Sequence, residues 1–287
     1  MDIAIVGAGK AGTALAVLWS EVGHRIVAVS GRRDTRERVE KYLPETPVLA
    51  APEAARKAEV VVIGVPDDAI LSVCIGLSER QSFHSGQWVV HLSGGSSLRL
   101  LESAKNRGAR ILSLHPLQTF PDVDSAIERI PGSAVAVTAE RESGYMLGEQ
   151  LAKHARGNPF RLPDEQKAIY HAAAVFASNY IVASTAQAEA LMESIGLPDP
   201  RELFMPLSRA SLENVALKGS ENAITGPASR GDAGTVETHL RALADAAPEA
   251  VQPYAALAGV AMDLAEKSGK LSSEQRSAVE KVLTEWK

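Results

Sequence analysis

The chain has 287 residues, 45% of them hydrophobic, and a formal net charge of −5. That length is enough for two domains with sizeable cores, and the acidic balance argues against a general nucleic-acid surface. Its single cysteine, Cys74, excludes an internal disulfide and a cysteine metal cluster, and no apolar run reaches the roughly 18–20 residues that span a bilayer.

Residues 3–6 form a short apolar run ending at a glycine, the pattern of a strand buried on both faces. Gly7, Gly9 and Gly12 follow as G-x-G-x-x-G, with Ala8, Lys10 and Ala11 between them, and residues 13–22 read as a helix. In this context Gly7 makes the turn, Gly9 lets a pyrophosphate approach the backbone, and Gly12 lets the helix sit close on the sheet. A second strand is predicted over 25–29. It ends in Ser30-Gly31-Arg32-Arg33, with no acid to bind a ribose 2′-hydroxyl and two guanidinium groups suited to a 2′-phosphate. The predicted cofactor is therefore NADP(H). The alternative is that Arg32 and Arg33 only begin a basic, solvated helix over 33–42.

A short strand near 48–50 and a helix near 52–57 come next. The strongest strand signal is 60–65, running into Pro66-Asp67. A helix over 68–77 and a strand over 88–92 lead to Ser93-Gly94-Gly95-Ser96-Ser97. A helix over 98–106 precedes a strand over 110–114 and His115-Pro116. Weaker strands at 133–137 and 158–162 close the first domain. Strands alternating with helices of this length predict an α/β Rossmann domain, a doubly wound and mostly parallel sheet, over residues 1–162. Ligands of such sheets bind outside the carboxyl ends of the strands, so the loops carrying Val65, Pro66, Ser93, Gly94 and His115 should join the glycine turn around one crevice. The N terminus enters its first strand without a basic leader, and a cytoplasmic enzyme is expected. The seven histidines are scattered, without the spacing of a zinc site, so no metal is expected.

Beyond Pro163 the strand signals stop, and residues 163–287 are predicted to be all-helical. Asp164 could cap one long helix through 194. Further helices are predicted over 198–215, 232–246, 253–267 and 272–286, the last opened by a Ser272/Gln275 capping box. The domain's Ala- and Leu-rich helices suit packing across a homodimer seam. Residues 172–183 are almost all apolar and should be buried. Lys167, His171, Ser178 and Asn179 nevertheless place a polar stripe on that helix, at i, i+4, i+11 and i+12. A substrate would satisfy the stripe, and so would hydrogen bonds across a dimer seam. The glycine-rich stretch before the 232–246 helix carries Arg230, Gly231 and Thr235. It reads either as a site for a substrate anion or as an Arg230–Asp232 bridge closing the helix.

The chain resembles the bacterial Rossmann-like oxidoreductases that carry a C-terminal domain of unknown function 2520. The resemblance rests on residues 7–12, on His115-Pro116-Leu117-Gln118-Thr119-Phe120, on Tyr170-His171-Ala172-Ala173-Ala174, on Ser178-Asn179, and on Thr225-Gly226-Pro227 with Arg230-Gly231-Asp232. It implies a second domain similar to the C-terminal domain of 6-phosphogluconate dehydrogenase. It also implies kinship with pyrroline-5-carboxylate and ketopantoate reductases and with prephenate dehydrogenases. His115-Pro116 is similar to the His-Pro of prephenate dehydrogenases, with Ser93 as a polar partner. Residues 231–235 are similar to the glycine-threonine loop that holds a carboxylate in pyrroline-5-carboxylate reductases. Hydroxyacid dehydrogenases pair a lysine with an asparagine four residues on; here Lys167 is followed at that spacing by His171.

These observations predict an oxidoreductase that moves hydride between NADP(H) and a small anionic carbonyl, imine or hydroxy acid. His171 is the first choice of proton donor, ahead of His115 and Lys167. Asn179 would bond the reacting atom. Ser93, Ser178, Arg230, Gly231 and Thr235 would hold the substrate. The competing expectation is a dimeric protein that binds NADP(H) as a sensor or scaffold without turnover.

Overall fold

The computed structural model describes residues 1–32 and 34–286. Arg33, one of the two guanidinium groups expected to meet the cofactor, lies outside the described residues. The chain forms two compact units, Met1–Asn179 and Tyr180–Lys287.

The first unit is built on one sheet. Its strands are β1 (Asp2–Val6), β2 (Arg25–Ser30), β3 (Val60–Ile63), β4 (Trp88–His91), β5 (Arg110–Pro116), β6 (Ala134–Ala139) and β7 (Asn158–Arg161), in the order β2-β1-β3-β4-β5-β6-β7. All neighbours run parallel except β5 and β6, which pair antiparallel. The strand expected at 48–50 shrinks to a single bridge between Val48 and Val29. Helices α1 (Lys10–Glu21), α2 (Thr35–Tyr42), α3 (Ala51–Arg56), α4 (Ile70–Glu79), α5 (Glu102–Lys105), α6 (Val123–Arg129), α7 (Glu142–His154) and α8 (Lys167–Ala177) complete the unit.

Strand alternation divides the core between the two faces. Ile3 and Ile5 pack with Leu15, Trp19 and Leu151, while Ala4 and Val6 pack with Ala54, Ile70 and Leu101. The wholly buried Trp19 still satisfies its indole N–H, which donates to the Leu151 carbonyl at 2.9 Å. Helix α7 carries Gly144 and Gly148, residues that weaken a helix signal in sequence. In the fold they are what lets α7 lie on β6: a Cβ at Gly148 would meet Val137 Cγ1 at 2.3 Å, and one at Gly144 would meet Ala139 Cβ at 2.7 Å.

The second unit is helical throughout its regular structure. Helix α9 (Asn179–Ser194) enters it, followed by α10 (Pro200–Lys218), α11 (Ser220–Ala223), α12 (Ala233–Ala246), α13 (Val251–Lys267) and α14 (Ser273–Glu285). Val236, Leu240, Met262, Ala265, Val279 and Leu283 form its core. The Ser272/Gln275 capping box opens α14 as predicted, and Asp232 caps α12 by accepting from the Thr235 N–H at 3.0 Å.

Two expectations need correction. The single helix over 164–194 is broken at Ser178, whose backbone leaves the helical region at φ −134° and ψ −69°. Ser and Asn compete with the helix for backbone hydrogen bonds, which makes the Ser178-Asn179 pair a natural breaking point. Residues 172–183, expected to be buried, are half-buried or exposed in the single chain, with Val182 67% exposed. Apolar composition alone does not supply a covering partner. Helix α8 belongs to the first compact unit: Lys167 bonds Ser93 and Ser113, and Asp164 just before the helix bonds the loop after β4.

Candidate active site at the strand ends

The glycine turn after β1 is held from below. The N–H groups of Gly7 and Ala8 both donate to the Ser30 carbonyl, at 2.8 and 3.2 Å. Gly7 adopts φ +90°, and a Cβ there would meet Val65 Cγ1 at 2.4 Å. A Cβ at Gly12 would press on the Gly7 carbonyl at 3.2 Å, so this glycine sets the close approach of α1 to the sheet. Gly9 is different. The nearest atom to its Cβ position is the Gly64 carbonyl at 3.6 Å, an ordinary contact. The protein itself would tolerate a side chain there, so the bare backbone suits a group arriving from outside.

Lys10, Ala11 and Gly12 form the first turn of α1 and point N–H groups that have no intrahelical acceptor toward this space. Ser30 is buried and Arg32 exposed beside it. The guanidinium of Arg38, on α2, donates to the Ala8 carbonyl at 2.6 Å and so rests against the turn. Nothing in its sequence position marks Arg38 out. The residues present therefore fit a dinucleotide diphosphate.

The ends of β3, β4 and β5 are knitted into a polar floor. The Ser93 hydroxyl donates to Asp67 Oδ2 at 2.5 Å and accepts from the Ser96 N–H at 3.0 Å. The Ser93 carbonyl accepts from the Ser113 hydroxyl at 3.2 Å and from Lys167 Nζ at 2.9 Å. Lys167 Nζ also donates to Ser113 Oγ at 2.8 Å. Lys167 is only 1% exposed, so it is not a solvated first-turn residue. Burial depresses its ammonium to about 8, against the raising pull of Asp164 and Asp67. Asp164 does not cap its own helix. Its carboxylate accepts from the Ser97 hydroxyl at 2.5 Å and the Leu98 N–H at 2.9 Å, fastening the loop after β4 to the start of α8.

His91, at the end of β4, is wholly buried. Its Nδ1 accepts from the Ser93 N–H at 3.1 Å, which leaves the proton on Nε2, and that atom has no hydrogen-bond partner among the described residues. Burial first, then the Lys167 and His115 charges, holds its titration down to about 3.

Two further imidazoles face the loop above this floor. His115 stands at the end of β5 with its Nδ1 3.0 Å from the Tyr170 hydroxyl, the two rings being edge-on with centroids 5.7 Å apart. His171, one turn into α8, lies edge-on to His115 with centroids 5.9 Å apart. Both rings close on Gly94. A Cβ at that glycine would lie 2.7 Å from His115 Nε2 and 2.8 Å from His171 Nδ1. At Gly95 a Cβ would lie 3.1 Å from His171 Cδ2. The Gly94-Gly95 pair is thus the bare backbone that lets two histidines from different elements share one corner. His115 is held down to about 4 by burial, with Lys167 and His171 adding to the shift and Asp67 opposing it. It is neutral at physiological pH.

The residues predicted from sequence thus separate into groups. Gly7 to Gly12, Ser30 and Val65 meet at the glycine turn, with Arg32 exposed just after Ser30 and Pro66 exposed just after Val65. Ser93, Gly94, His115, Lys167 and His171 meet at the ends of β4 and β5. Ser93 and Lys167 lie in the floor, their polar atoms committed to protein partners. Ser178 and Asn179 sit at the break after α8, with Asn179 exposed and eight residues beyond His171. Arg230, Gly231 and Thr235 belong to the second unit. There Arg230 is exposed, Gly231 adopts φ +72°, and Thr235 gives its N–H and its hydroxyl to Asp232. Asp67, Asp164, His91 and Tyr170 were not singled out as site residues. Asp67, Tyr170 and Asp164 find their partners 26, 55 and 67 residues away, which no local pattern announces, and the role of His91 follows from its burial.

Residues 1–116 match the family model of the Rossmann-like domain, and residues 133–260 match that of the domain of unknown function 2520. The chain is thus a Rossmann-like domain followed by a DUF2520 domain, as the sequence motifs implied. Among solved structures it is similar to a candidate NADP oxidoreductase from Bacteroides fragilis, at 24% identity over 91% of this chain and 98% of that one, with a TM-score of 0.76. It is also similar to an imine reductase from Myxococcus stipitatus in complex with NADP+, at 17% identity over 100% and 99% of the two chains, with a TM-score of 0.62. A pyrroline-5-carboxylate reductase from Coxiella burnetii matches at 18% identity over 93% and 97%, with a TM-score of 0.55. A curated relative, a glycerol-3-phosphate dehydrogenase [NAD(P)+] from Lysinibacillus sphaericus, is 36% identical over 86 residues; the chain spans only 25% of its length. Among the described residues no helix is long and apolar enough to cross a membrane.

Proposed function

We propose that the protein is an NADP(H)-dependent oxidoreductase acting on a small anionic carbonyl, imine or hydroxy acid. The observation that carries the proposal is the meeting of His115 Nε2 and His171 Nδ1 at Gly94, on the same edge of the sheet as a glycine turn shaped for a diphosphate. The names of the structural neighbours, NADP oxidoreductase, imine reductase and pyrroline-5-carboxylate reductase, support the same class. Bound nicotinamide would supply or accept the hydride. The first turn of α1 would hold the diphosphate, and Ser30, Arg32 and Arg38 would favour the 2′-phosphate.

The chain's own residues then divide the remaining work. His115, neutral and backed by Tyr170, offers a hydrogen bond to the reacting oxygen or nitrogen. His171 carries the proton that this atom gains on reduction and loses on oxidation. Lys167 is sealed below the loop, so it positions rather than transfers: it fixes the Ser93 carbonyl, and its charge adds to the burial that keeps His115 neutral. We also propose a homodimer formed through the helical unit. The reading is supported by Val182, Leu207 and Leu217, which are 67%, 70% and 81% exposed in the single chain.

The test is NADPH oxidation against a panel of small oxo and imino acids, with NADPH and NADH titrations alongside. His171→Ala should lower kcat by about 10²- to 10⁴-fold while the NADPH Kd stays within a few-fold. Loss of both to the same degree, or no binding of either nucleotide at millimolar concentration, would overturn the assignment.

A further inference from the structure

We propose that Tyr170 is a positioning residue that fixes the tautomer of His115, so that Nε2–H faces the Gly94 corner. The hydroxyl of Tyr170 lies 3.0 Å from His115 Nδ1 in an edge-on arrangement with the ring, a contact made across 55 residues of sequence. Either partner could in principle donate, and the surroundings decide between them. If Nδ1 held the proton, the Tyr170 hydrogen would find no acceptor among the described residues, and His115 Nε2 would turn a lone pair toward His171 Nδ1. The latter atom is itself buried with no hydrogen-bond partner among the described residues.

If Tyr170 donates, both conflicts are removed. The hydroxyl hydrogen goes to His115 Nδ1, and the proton sits on Nε2. That N–H faces the point which His115 Nε2 and His171 Nδ1 both approach within 2.8 Å, presenting a donor opposite a free imidazole lone pair. The protonation state fits as well. Burial pushes the Tyr170 hydroxyl up to about 12, so it keeps its hydrogen, and His115 is neutral above about pH 4. Phe160 also packs edge-on against Tyr170, with centroids 5.8 Å apart, and helps hold the phenol in place.

The consequence rests on the oxidoreductase reading. His115 becomes a standing neutral donor to the substrate heteroatom, and the transferable proton is left to His171. The tautomer itself does not depend on that reading, and the experiment separates the two. The full-length protein is labelled with ¹⁵N-histidine, and the His115 signals are assigned by their loss in His115→Asn. Two-bond ¹H–¹⁵N correlation at neutral pH then reports which ring nitrogen carries hydrogen.

The wild type should show a single His115 form protonated on Nε2, and Tyr170→Phe should show a mixture of both forms. The same variant should lose about tenfold in kcat, the scale of one hydrogen bond, with KM for NADPH unchanged. A wild-type His115 protonated on Nδ1 would overturn the proposal, and that spectrum is decisive even if the variant folds poorly. An unmixed Nε2–H form in Tyr170→Phe would overturn it too. A locked tautomer in a protein that turns over no substrate would uphold Tyr170's role and remove only the redox assignment.

Discussion

Lys167 Nζ lies 2.9 Å from the carbonyl oxygen of Ser93, joining the first turn of α8 to the loop after β4. The bond is made by a charged group with almost no access to solvent, and burying such a group is costly unless its hydrogen bonds are made. The ammonium therefore serves two ends: it fixes the loop on which both imidazoles rest, and it holds a positive charge near His91 and His115.

Replacing Lys167 by Met keeps the aliphatic stem and removes that charge. The Ser93 carbonyl and the Ser113 hydroxyl each lose a partner, and stability should fall by about 1–3 kcal/mol in urea titrations. Because the Lys167 charge is one of the forces holding His115 down, the His115 imidazole should titrate higher than about 4 in the variant, toward its ordinary value. Histidine NMR titration reads this directly, and an unmoved His115 would rule out the electrostatic link.

Gly94→Ala tests the corner itself. The new methyl group would stand 2.7 Å from His115 Nε2 and 2.8 Å from His171 Nδ1, closer than real Cβ contacts allow, so at least one ring must move. A displacement on the order of 1 Å at reacting groups costs about 10²-fold in turnover. The NADPH Kd should change little, since the glycine turn after β1 is untouched. An active Gly94→Ala enzyme with both rings in place would show that the close packing is incidental.

The buried histidines set an acid limit on stability. His115 is held down to about 4 and His91 to about 3, whereas both titrate near 6.5 in the unfolded chain. Below about pH 6.5 the unfolded chain takes up protons that the fold refuses, so stability is lost as pH falls from there toward 4. Each histidine should contribute a slope of about 1.4 kcal/mol per pH unit. Urea midpoints measured between pH 7 and 4.5 should therefore fall steeply, and His115→Gln should make the fall shallower. A wild-type profile that stays level over this range would contradict the burial seen for both rings.

Much of this arrangement is legible from the chain alone, for identifiable reasons. The glycine turn is local: strand, three glycines and helix fall within about twenty residues, and each glycine leaves its mark in composition. The His115 and His171 pair was legible only as two separate candidates, because their meeting depends on Gly94 being bare and on α8 returning over the sheet. Lys167 reads as a candidate proton donor because it lies on a polar helix stripe, and Ser93 as a substrate contact because it follows a strand end; sequence carries no sign of which polar groups the fold will seal. Helix α7 went unseen because Gly144 and Gly148 weaken its periodic signal while serving its packing. The apolar stretch 172–183 shows the opposite failure, since hydrophobicity reports a need for cover without naming what provides it.

The antiparallel step between β5 and β6 turns the last two strands upside down relative to the other five. The segment that leaves β6, at Glu140 and Arg141, consequently emerges on the rim opposite both the glycine turn and the histidines. That rim is a natural handle. A dye, an affinity tag or a surface tether attached there would sit on the quiet side of the molecule and leave the chemistry unobstructed.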